Sequence, residues 1–164
     1  MDVALGGTFD PVHDGHLALF ERAFELGDVT VGLTSDELAP ATRHVDRYVR
    51  PFEERKRDLE AELEPLAAEH GREFSVRKLE QPTGIATEPQ FDVLIVSPET
   101  VATGERINEL REEMGRNSLR IEVVDHVPAE DGDRISSTRI VKGEIDRHGN
   151  LTPDRNGRNP MRER

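Results

Sequence analysis

Residues 3–24 read VALGGTFDPVHDGHLALFERAF, a short apolar run followed by a glycine-containing turn and a second apolar segment. In that second segment Leu17, Phe20 and Phe24 recur at helical spacing, so the stretch predicts a strand, a turn and a helix. The helix is expected to open near Asp14, where its first backbone N–H groups have no partner inside the helix. Because such a helix start attracts negative charge, the turn is a candidate anion-binding site.

Two features of the turn favour phosphate as the anion. Gly6, Gly7 and Gly15 allow a ligand to approach the backbone without interference from Cβ atoms. His13 and His16 lie three residues apart at the mouth of the expected helix, where each imidazole can donate a hydrogen bond to a phosphate oxygen. A lone histidine in this position more often caps the helix or has another structural role. Two histidines together, beside the glycines, favour the phosphate site.

The composition limits the classes of function. The chain has 164 residues, 34 acidic side chains against 22 basic ones, a formal net charge of −12 and no cysteine. This length predicts one domain, and the lack of cysteine excludes disulfides, thiolate metal sites and cysteine nucleophiles. The negative charge argues against nucleic acid and anionic membranes as partners. We expect a soluble, cytoplasmic protein, since no apolar run is long enough to span a membrane and no signal peptide is visible.

The basic residues are themselves unusual, because only three of the 22 are lysine. Together with the excess of carboxylates, this favours adaptation to a high-salt cytoplasm, where the repulsion between like charges is screened. An ordinary acidic protein from an organism with GC-rich DNA is the alternative.

Strands and helices are predicted to alternate after the first helix. Strands are expected over residues 28–34, 74–79, 91–97 and 119–124, and helices over 52–69, from 101 to 114 with Ile107, Leu110 and Met114 inward, and over 135–142. Polar residues 35–51 predict a functional loop with one helical turn. The alternation predicts an α/β, three-layer, Rossmann-like domain over residues 1–150 with a five-stranded parallel sheet. Residues 144–151 predict a turn or small hairpin, and the tail over 151–164 is expected to be disordered.

A second cluster, residues 133–140 (DRISSTRI), provides further donors at the start of the last predicted helix. Its hydroxyl groups, backbone amides and a guanidinium suit a polyphosphate, in Ser136, Ser137, Thr138 and Arg139. Simple helix capping is the alternative, because Ser and Thr are favoured at that position for local reasons. The glycine turn matches neither a P-loop nor the dinucleotide-binding fingerprint.

These two clusters, GTFDP at 7–11 with HDGH at 13–16 and ISSTRI at 135–140, resemble the HxGH-containing nucleotidyltransferase superfamily. Within it, YVRPFEER at 48–55, TEP at 87–89 and VSPET at 96–100 are similar to the archaeal and eukaryotic type of the phosphopantetheine adenylyltransferase family. The resemblance implies a nucleotidyltransferase fold and transfer of AMP from ATP to 4′-phosphopantetheine, by direct attack on the α-phosphorus. It also implies Mg²⁺ bound with ATP, with no metal ligand assigned in the chain and no protein partner.

The same resemblance implies roles for single residues. His16 and His13 are the catalytic candidates, His16 at the α-phosphoryl transition state and His13 beside the ATP phosphates. The implied ATP ligands are Gly7, Thr8, Phe9, His13, His16, Ser136, Ser137, Thr138 and Arg139. The acceptor is expected to contact Thr8, Arg50 and Arg55, although Arg55 is as readily interpreted as a solvated charge on a helix. Bacterial members carry a catalytic lysine after the second strand, where this chain has none. Arg43, Arg47 and Arg50 are the alternatives for its charge.

Other functions share part of this pattern. Another adenylyl- or cytidylyltransferase of the superfamily would use FMN, nicotinamide mononucleotide or glycerol phosphate as acceptor. A non-catalytic nucleotide-binding regulator would not need donors aimed at a transition state. A fragment of a class I aminoacyl-tRNA synthetase is disfavoured, because the chain is too short for the remaining domains of such an enzyme and too acidic for tRNA.

Overall fold

In a computed structural model, which describes residues 1–42 and 48–152, strands and helices alternate along the chain. The elements are β1 (Asp2–Gly7), α1 (Asp14–Leu26), β2 (Asp28–Thr34), a 3₁₀ turn (Ala39–Thr42), α2 (Phe52–His70), β3 (Phe74–Leu79), β4 (Val93–Val96), α3 (Val101–Glu113), β5 (Arg120–Val123) and α4 (Ser137–Val141). The alternation predicted from the sequence is confirmed, including the helical turn in the polar loop.

The strands form one parallel sheet in the order β3-β2-β1-β4-β5. Strand β1 is therefore central, and its neighbours β2 and β4 lead the chain to opposite edges of the sheet. Ligands of such sheets bind at the carboxyl ends of the strands where the direction of winding changes. The turn directly after β1 lies at that point. Gly6 and Gly7, predicted from the sequence to lie in the turn, form the end of β1 and pair with Gly32 and Leu33 of β2.

Helices cover both faces of the sheet. Successive side chains of β1 point to opposite faces, so each face contributes to its own hydrophobic core. On one face α1 and α2 pack against β1 and β2, and on the other α3 packs against β4. The first core includes Val3, Leu5, Phe20, Phe24, Leu59 and Leu63, and the second Ala4, Leu94, Val96 and Ile107. The predicted three-layer α/β domain is confirmed.

The inward face predicted for α3 is wrong at its end. Met114 is 53% exposed, because the helix ends at Glu113 and Met114 only caps it. The buried position belongs to Arg111, which is 2% exposed. Its guanidinium donates to the carbonyl oxygens of Ala86, Glu88 and Asn117 at 2.6–3.0 Å. The buried charge is thus held by backbone dipoles.

The last part of the chain differs from the predicted boundaries. Helix α4 is shorter than the predicted 135–142. An antiparallel bridge between Ile145 and Leu151 closes a hairpin over residues 145–151, as one of the two predicted alternatives. Leu151 and Thr152, assigned to the tail, belong to this ordered part, while residues 153–164 lie outside the described residues. None of the helices described is both long and apolar enough to cross a membrane.

Candidate active site

The two histidines of the turn cap helix α1 reciprocally. Nδ1 of His13 accepts a hydrogen bond from the backbone N–H of Gly15 at 3.0 Å. Nδ1 of His16 accepts one from the backbone N–H of His13 at 3.2 Å. This is the capping-box arrangement with imidazoles in place of the usual hydroxyl and carboxamide. Both histidines therefore have the helix-capping role that was the alternative to phosphate binding. The caps use only Nδ1, so Nε2 of each ring remains available.

The caps fix the tautomers of both rings. Since a backbone N–H can only donate, each Nδ1 must be unprotonated, and a neutral ring then carries its hydrogen on Nε2. Burial lowers the pKa of His13 to about 4, although Asp14 opposes the shift, and burial also lowers the pKa of His16 well below its usual value. Both rings are therefore neutral near pH 7. Among the described residues neither Nε2 has a protein acceptor, so both N–H groups can donate to a ligand.

Aromatic packing holds the two rings in place. His13 and His16 stack with ring centroids 3.7 Å apart, and Phe9 meets His16 edge-on at 4.8 Å. The glycines make this packing possible, because a Cβ on Gly7 would lie 2.8 Å from the Phe9 ring and one on Gly15 would lie 2.8 Å from the His13 ring. The sequence suggested that these glycines admit a ligand. In the structure they first make room for the rings of the motif itself.

The second cluster contacts the first. Ser137 Oγ donates to the carbonyl oxygen of Pro11 at 2.8 Å, and Ser136 Oγ caps α4 by accepting from the backbone N–H of Arg139 at 3.2 Å. Thr138 is partly buried in the same short helix. The structure thus brings together the two motifs that the sequence separates, and the hydroxyl groups of Ser136 and Ser137 also have structural partners.

Arg139, the predicted ligand of the β- and γ-phosphates, is paired within the protein. Its guanidinium binds the carboxylates of Asp131 and Glu144 and the carbonyl oxygen of Arg134. The hydrogen bond with Asp131 is the main cause of the raised pKa of Arg139. A phosphate at this position would therefore share or replace carboxylate partners.

Arg50, predicted to bind the acceptor, anchors the end of the polar loop on the turn. Its backbone N–H and its Nε donate to the Asp10 carboxylate at 2.8 and 2.6 Å, and its Nη1 pairs with Asp58 at 2.6 Å. Asp10 is only 4% exposed. Sequence reasoning assigned no role to Asp10. A carboxylate within a candidate anion site needs a positive partner, and that requirement could have pointed to Arg50. Arg43 and Arg47 lie outside the described residues.

Arg55 is fully buried beneath the turn, so the interpretation as a solvated helix charge is wrong. Its guanidinium donates to the carbonyl oxygens of Arg50, Thr8 and Thr34 at 2.7, 3.2 and 2.9 Å, and to the Asp36 carboxylate at 3.0 Å. It therefore braces the carboxyl ends of β1 and β2. Thr8 is further held by a 2.9 Å contact between its hydroxyl and that of Thr34.

Carboxylate clusters near the histidines are not arranged as a metal cage in the described part of the chain. Asp10 is bound to Arg50, and Asp14 lies 3.0 Å from Nδ1 of His148. The group with suitable ligand atoms is Glu21, Glu69 and His70, which joins α1 to the end of α2, away from the turn. A divalent ion at the histidines would need ligands from a substrate.

Comparison with known proteins agrees with this fold. Residues 4–143 match a family model described as cytidylyltransferase-like. A phosphopantetheine adenylyltransferase from Methanosarcina barkeri is 47% identical over 152 residues, which cover 91% of this chain and 91% of that protein. Another from Archaeoglobus fulgidus is 43% identical over 153 residues, covering 92% and 99% of the two chains. The chain therefore belongs to the phosphopantetheine adenylyltransferase family, within the cytidylyltransferase-like class.

Solved structures support the same architecture. A protein from Archaeoglobus fulgidus, described as of unknown function, aligns with a TM-score of 0.64 and 39% identity over 75% of this chain and 97% of its own. Pantothenate synthetase from Thermus thermophilus aligns with a TM-score of 0.52 and 18% identity, over 85% of this chain and 60% of its own. At that identity the second comparison concerns the fold alone.

Proposed function

We propose that this protein transfers AMP from ATP to 4′-phosphopantetheine, giving dephospho-coenzyme A and pyrophosphate. An oxygen of the acceptor's phosphate attacks the α-phosphorus of ATP in line. The bond from that phosphorus to the oxygen bridging the α- and β-phosphates breaks, and pyrophosphate leaves with the electron pair. The observation that carries the proposal is the pair of neutral, capped imidazoles with Nε2–H groups available at the switch point of the sheet. The named activity of relatives 43–47% identical supports the acceptor.

In this reaction the protein acts by positioning and by stabilising charge. His16 donates from Nε2 to an oxygen of the α-phosphoryl group, where negative charge redistributes in the transition state. His13 donates beside it, to the same phosphate or the next. Because caps and ring stacking already fix both imidazoles, they need no reorganisation when ATP reacts. No side-chain nucleophile is needed.

The remaining predicted ligands surround this pair. The ATP phosphates would be held by Gly7, Thr8 and Phe9 on one side and by Ser136, Ser137, Thr138 and Arg139 on the other. The acceptor phosphate would lie near Thr8 and Arg50. Since Arg55 is buried beneath Thr8, we assign it to holding the Thr8 backbone in place and not to direct contact with the acceptor.

Mg²⁺ would enter with ATP in this proposal. The carboxylates of the turn are already paired, and Mg²⁺ in sites that bind nucleotides takes substrate phosphates and water as ligands. The ion would neutralise phosphate charge and assist the departure of pyrophosphate. The predicted cytoplasmic location and adaptation to high salt are part of the same proposal, and they set the conditions of the assay.

The test is to incubate the protein with ATP, Mg²⁺ and 4′-phosphopantetheine in molar KCl, to follow pyrophosphate release, and to identify the nucleotide product by mass. FMN and nicotinamide mononucleotide serve as rival acceptors in parallel reactions. We expect release and dephospho-coenzyme A with 4′-phosphopantetheine only. Release with a rival acceptor but none with 4′-phosphopantetheine would refute the proposal. ATP binding without turnover on any acceptor would favour the non-catalytic regulator.

A further inference from the structure

The hairpin after α4 (residues 145–151, called the C-terminal hairpin below) is a well-packed unit. Ile145 and Leu151 form its antiparallel bridge, and the Asp146 carboxylate accepts the backbone N–H of His148 at 2.9 Å. Ile145 is 1% exposed and packs in a small core with Ile135, which precedes the hydroxyl cluster. The tip of the hairpin, at Arg147 and His148, is therefore held at a defined place.

The tip lies against the start of α1. The backbone N–H of Asp14, the first residue of that helix, donates to the carbonyl oxygen of Arg147 at 3.0 Å. Nδ1 of His148 lies 3.0 Å from the Asp14 carboxylate. The next amide, that of Gly15, is taken by His13. One of the first two amides of the catalytic helix is thus satisfied by the C-terminal hairpin and the other by a catalytic histidine.

The Arg147 side chain fastens the hairpin to a second helix. Its Nη2 donates to Glu62 of α2 at 3.0 Å. Its Nε is buried without an acceptor, the one such side-chain nitrogen or oxygen in residues 1–42 and 48–152. A buried donor left unpaired is costly, so this placement is not explained by optimal surface packing.

Within residues 1–42 and 48–152, four charged or titratable groups face His13 from the elements around it. Asp14 on its own helix favours protonation of the ring, while Arg134 before α4 and Arg147 in the hairpin disfavour it. His16 stacks on the ring from the next helical turn. Arg147 is therefore both a mechanical and an electrostatic neighbour of the histidine pair.

We infer that Arg147 is a positioning residue of the active site: its carbonyl fixes the first turn of α1, and its guanidinium, bound to Glu62, holds that carbonyl beside His13. The kinetic part of this inference rests on the proposed function, whereas the structural part does not. The competing view is an ordinary exposed ion pair, of the kind that contributes about 0–1 kcal/mol and nothing to function.

Arg22 provides a matched control. It pairs with Glu122 at 2.9 Å, and the side chains of that pair are 36% and 21% exposed, against 40% and 27% for Arg147 and Glu62. Arg22 lies on α1 itself, two turns after the residue whose amide the Arg147 carbonyl accepts. Arg22→Ala and Arg147→Ala each remove one arginine and one ion pair between two elements. A difference between the two variants is therefore due to where Arg147 lies.

In AMP transfer, we expect Arg147→Ala to lower kcat at least tenfold with the KM for ATP within about threefold of wild type, and Arg22→Ala to change kcat less than twofold. Arg147→Lys keeps the charge and the partner Glu62, and should recover kcat to within about threefold. Equal effects of Arg147→Ala and Arg22→Ala on kcat would overturn the kinetic part of the inference.

A measurement without substrate separates this inference from the proposed function. In NMR spectra of the ligand-free protein, Arg147→Ala should raise the protonation midpoint of the His13 ring, because a nearby positive charge is lost, and should speed hydrogen exchange of the Asp14 amide at least tenfold. Arg22→Ala should do neither. If Arg147→Ala fails to fold, Glu62→Ala releases the same tie and is expected to speed Asp14 exchange. An unchanged Asp14 amide would overturn the inference even in an active enzyme, whereas a wild type without AMP transfer would refute the proposed function alone.

Discussion

Ser137 Oγ donates a 2.8 Å hydrogen bond to the carbonyl oxygen of Pro11, across 126 positions of sequence. The bond ties the start of α4 to the turn after β1, so the two halves of the proposed polyphosphate site are joined even without ligand. The acceptor is a backbone carbonyl of the turn itself, so the bond does not depend on a side chain of that turn. The neighbouring Ser136 caps α4 and so orients the helix that carries Ser137.

Removal of this bond should affect ATP binding more than the stability of the fold. For Ser137→Ala we expect the free energy of unfolding to fall by about 1 kcal/mol, the usual net contribution of one hydrogen bond. The KM for ATP should rise about three- to tenfold, because the two motifs are no longer held together. Urea unfolding and steady-state kinetics measure the two effects, with the exposed Ser118→Ala as control. A variant with unchanged ATP kinetics would show that the bond is only structural.

His16 is expected to act mainly on the transition state. His16→Ala should lower kcat by two orders of magnitude or more, about 2.7 kcal/mol, with little change in ATP affinity. It also removes the acceptor of the His13 amide, so stability should fall by about 1 kcal/mol.

His16→Gln separates the two roles of His16, because glutamine at this helical position completes a capping box. We expect it to restore the melting temperature and leave kcat low. Equal losses of ATP affinity and of kcat in His16→Ala would instead identify His16 as a ground-state contact.

We expect Asp131 to compete with the ATP phosphates for Arg139. Asp131→Asn removes the charge of the main partner of Arg139, so we expect the KM for ATP to fall at least about threefold while kcat stays within twofold. The exposed Asp133→Asn makes the same change of net charge two residues away and should have a smaller effect. A rise in the KM for Asp131→Asn would mean that the pair holds the loop in its active form.

The histidine pair should stay neutral in mild acid. NMR titration of the ligand-free protein is expected to give a midpoint near pH 4 for His13 and one below the usual 6.5 for His16, since burial disfavours the charged ring. A proton then binds the unfolded chain more readily than the folded one. For His13, stability from this source is complete above pH 6.5, falls as the pH drops towards 4, and levels off below.

A matched variant isolates the His13 part of that pH dependence. His13→Asn keeps a good N-cap but does not titrate, so its free energy of unfolding should decline less steeply than that of wild type between pH 6.5 and 4. Parallel curves for the two proteins would contradict the depressed pKa of His13.

Arg55 should be needed for folding. Arg55→Ala leaves a cavity and the carbonyl oxygens of Thr8, Thr34 and Arg50 without their donor, so we expect a loss of at least about 3 kcal/mol in the free energy of unfolding. Arg57→Ala, an exposed position on the same helix, should cost less than about 0.5 kcal/mol. Urea unfolding compares the two. A loss below 1 kcal/mol for Arg55→Ala would contradict the bracing role.

Local sequence was enough to predict the alternation of strands and helices along the chain and the place of His13 and His16 at the start of α1. Helical spacing, apolar strands and the His13–His16 pair each depend on residues a few positions apart. Each of these features can therefore be recognised from a short segment of sequence. Met114 shows the limit of that reasoning. The helical spacing of apolar residues does not show where along the helix the contact with the sheet stops.

Only the folded chain decides which partner each charged group receives. Arg55 is buried against residues up to 47 positions away, and Arg139 is bound to carboxylates of two loops. Arg147 reaches the start of α1 from the hairpin over residues 145–151. In sequence these arginines look alike. Parallel strands bring loops that are distant in sequence to the same edge of the sheet. The acceptors of a buried or half-buried guanidinium are therefore set by the segments that the topology places beside it. The motif thus specifies the two imidazoles that we propose as phosphate donors, and the tertiary contacts determine how firmly they are held.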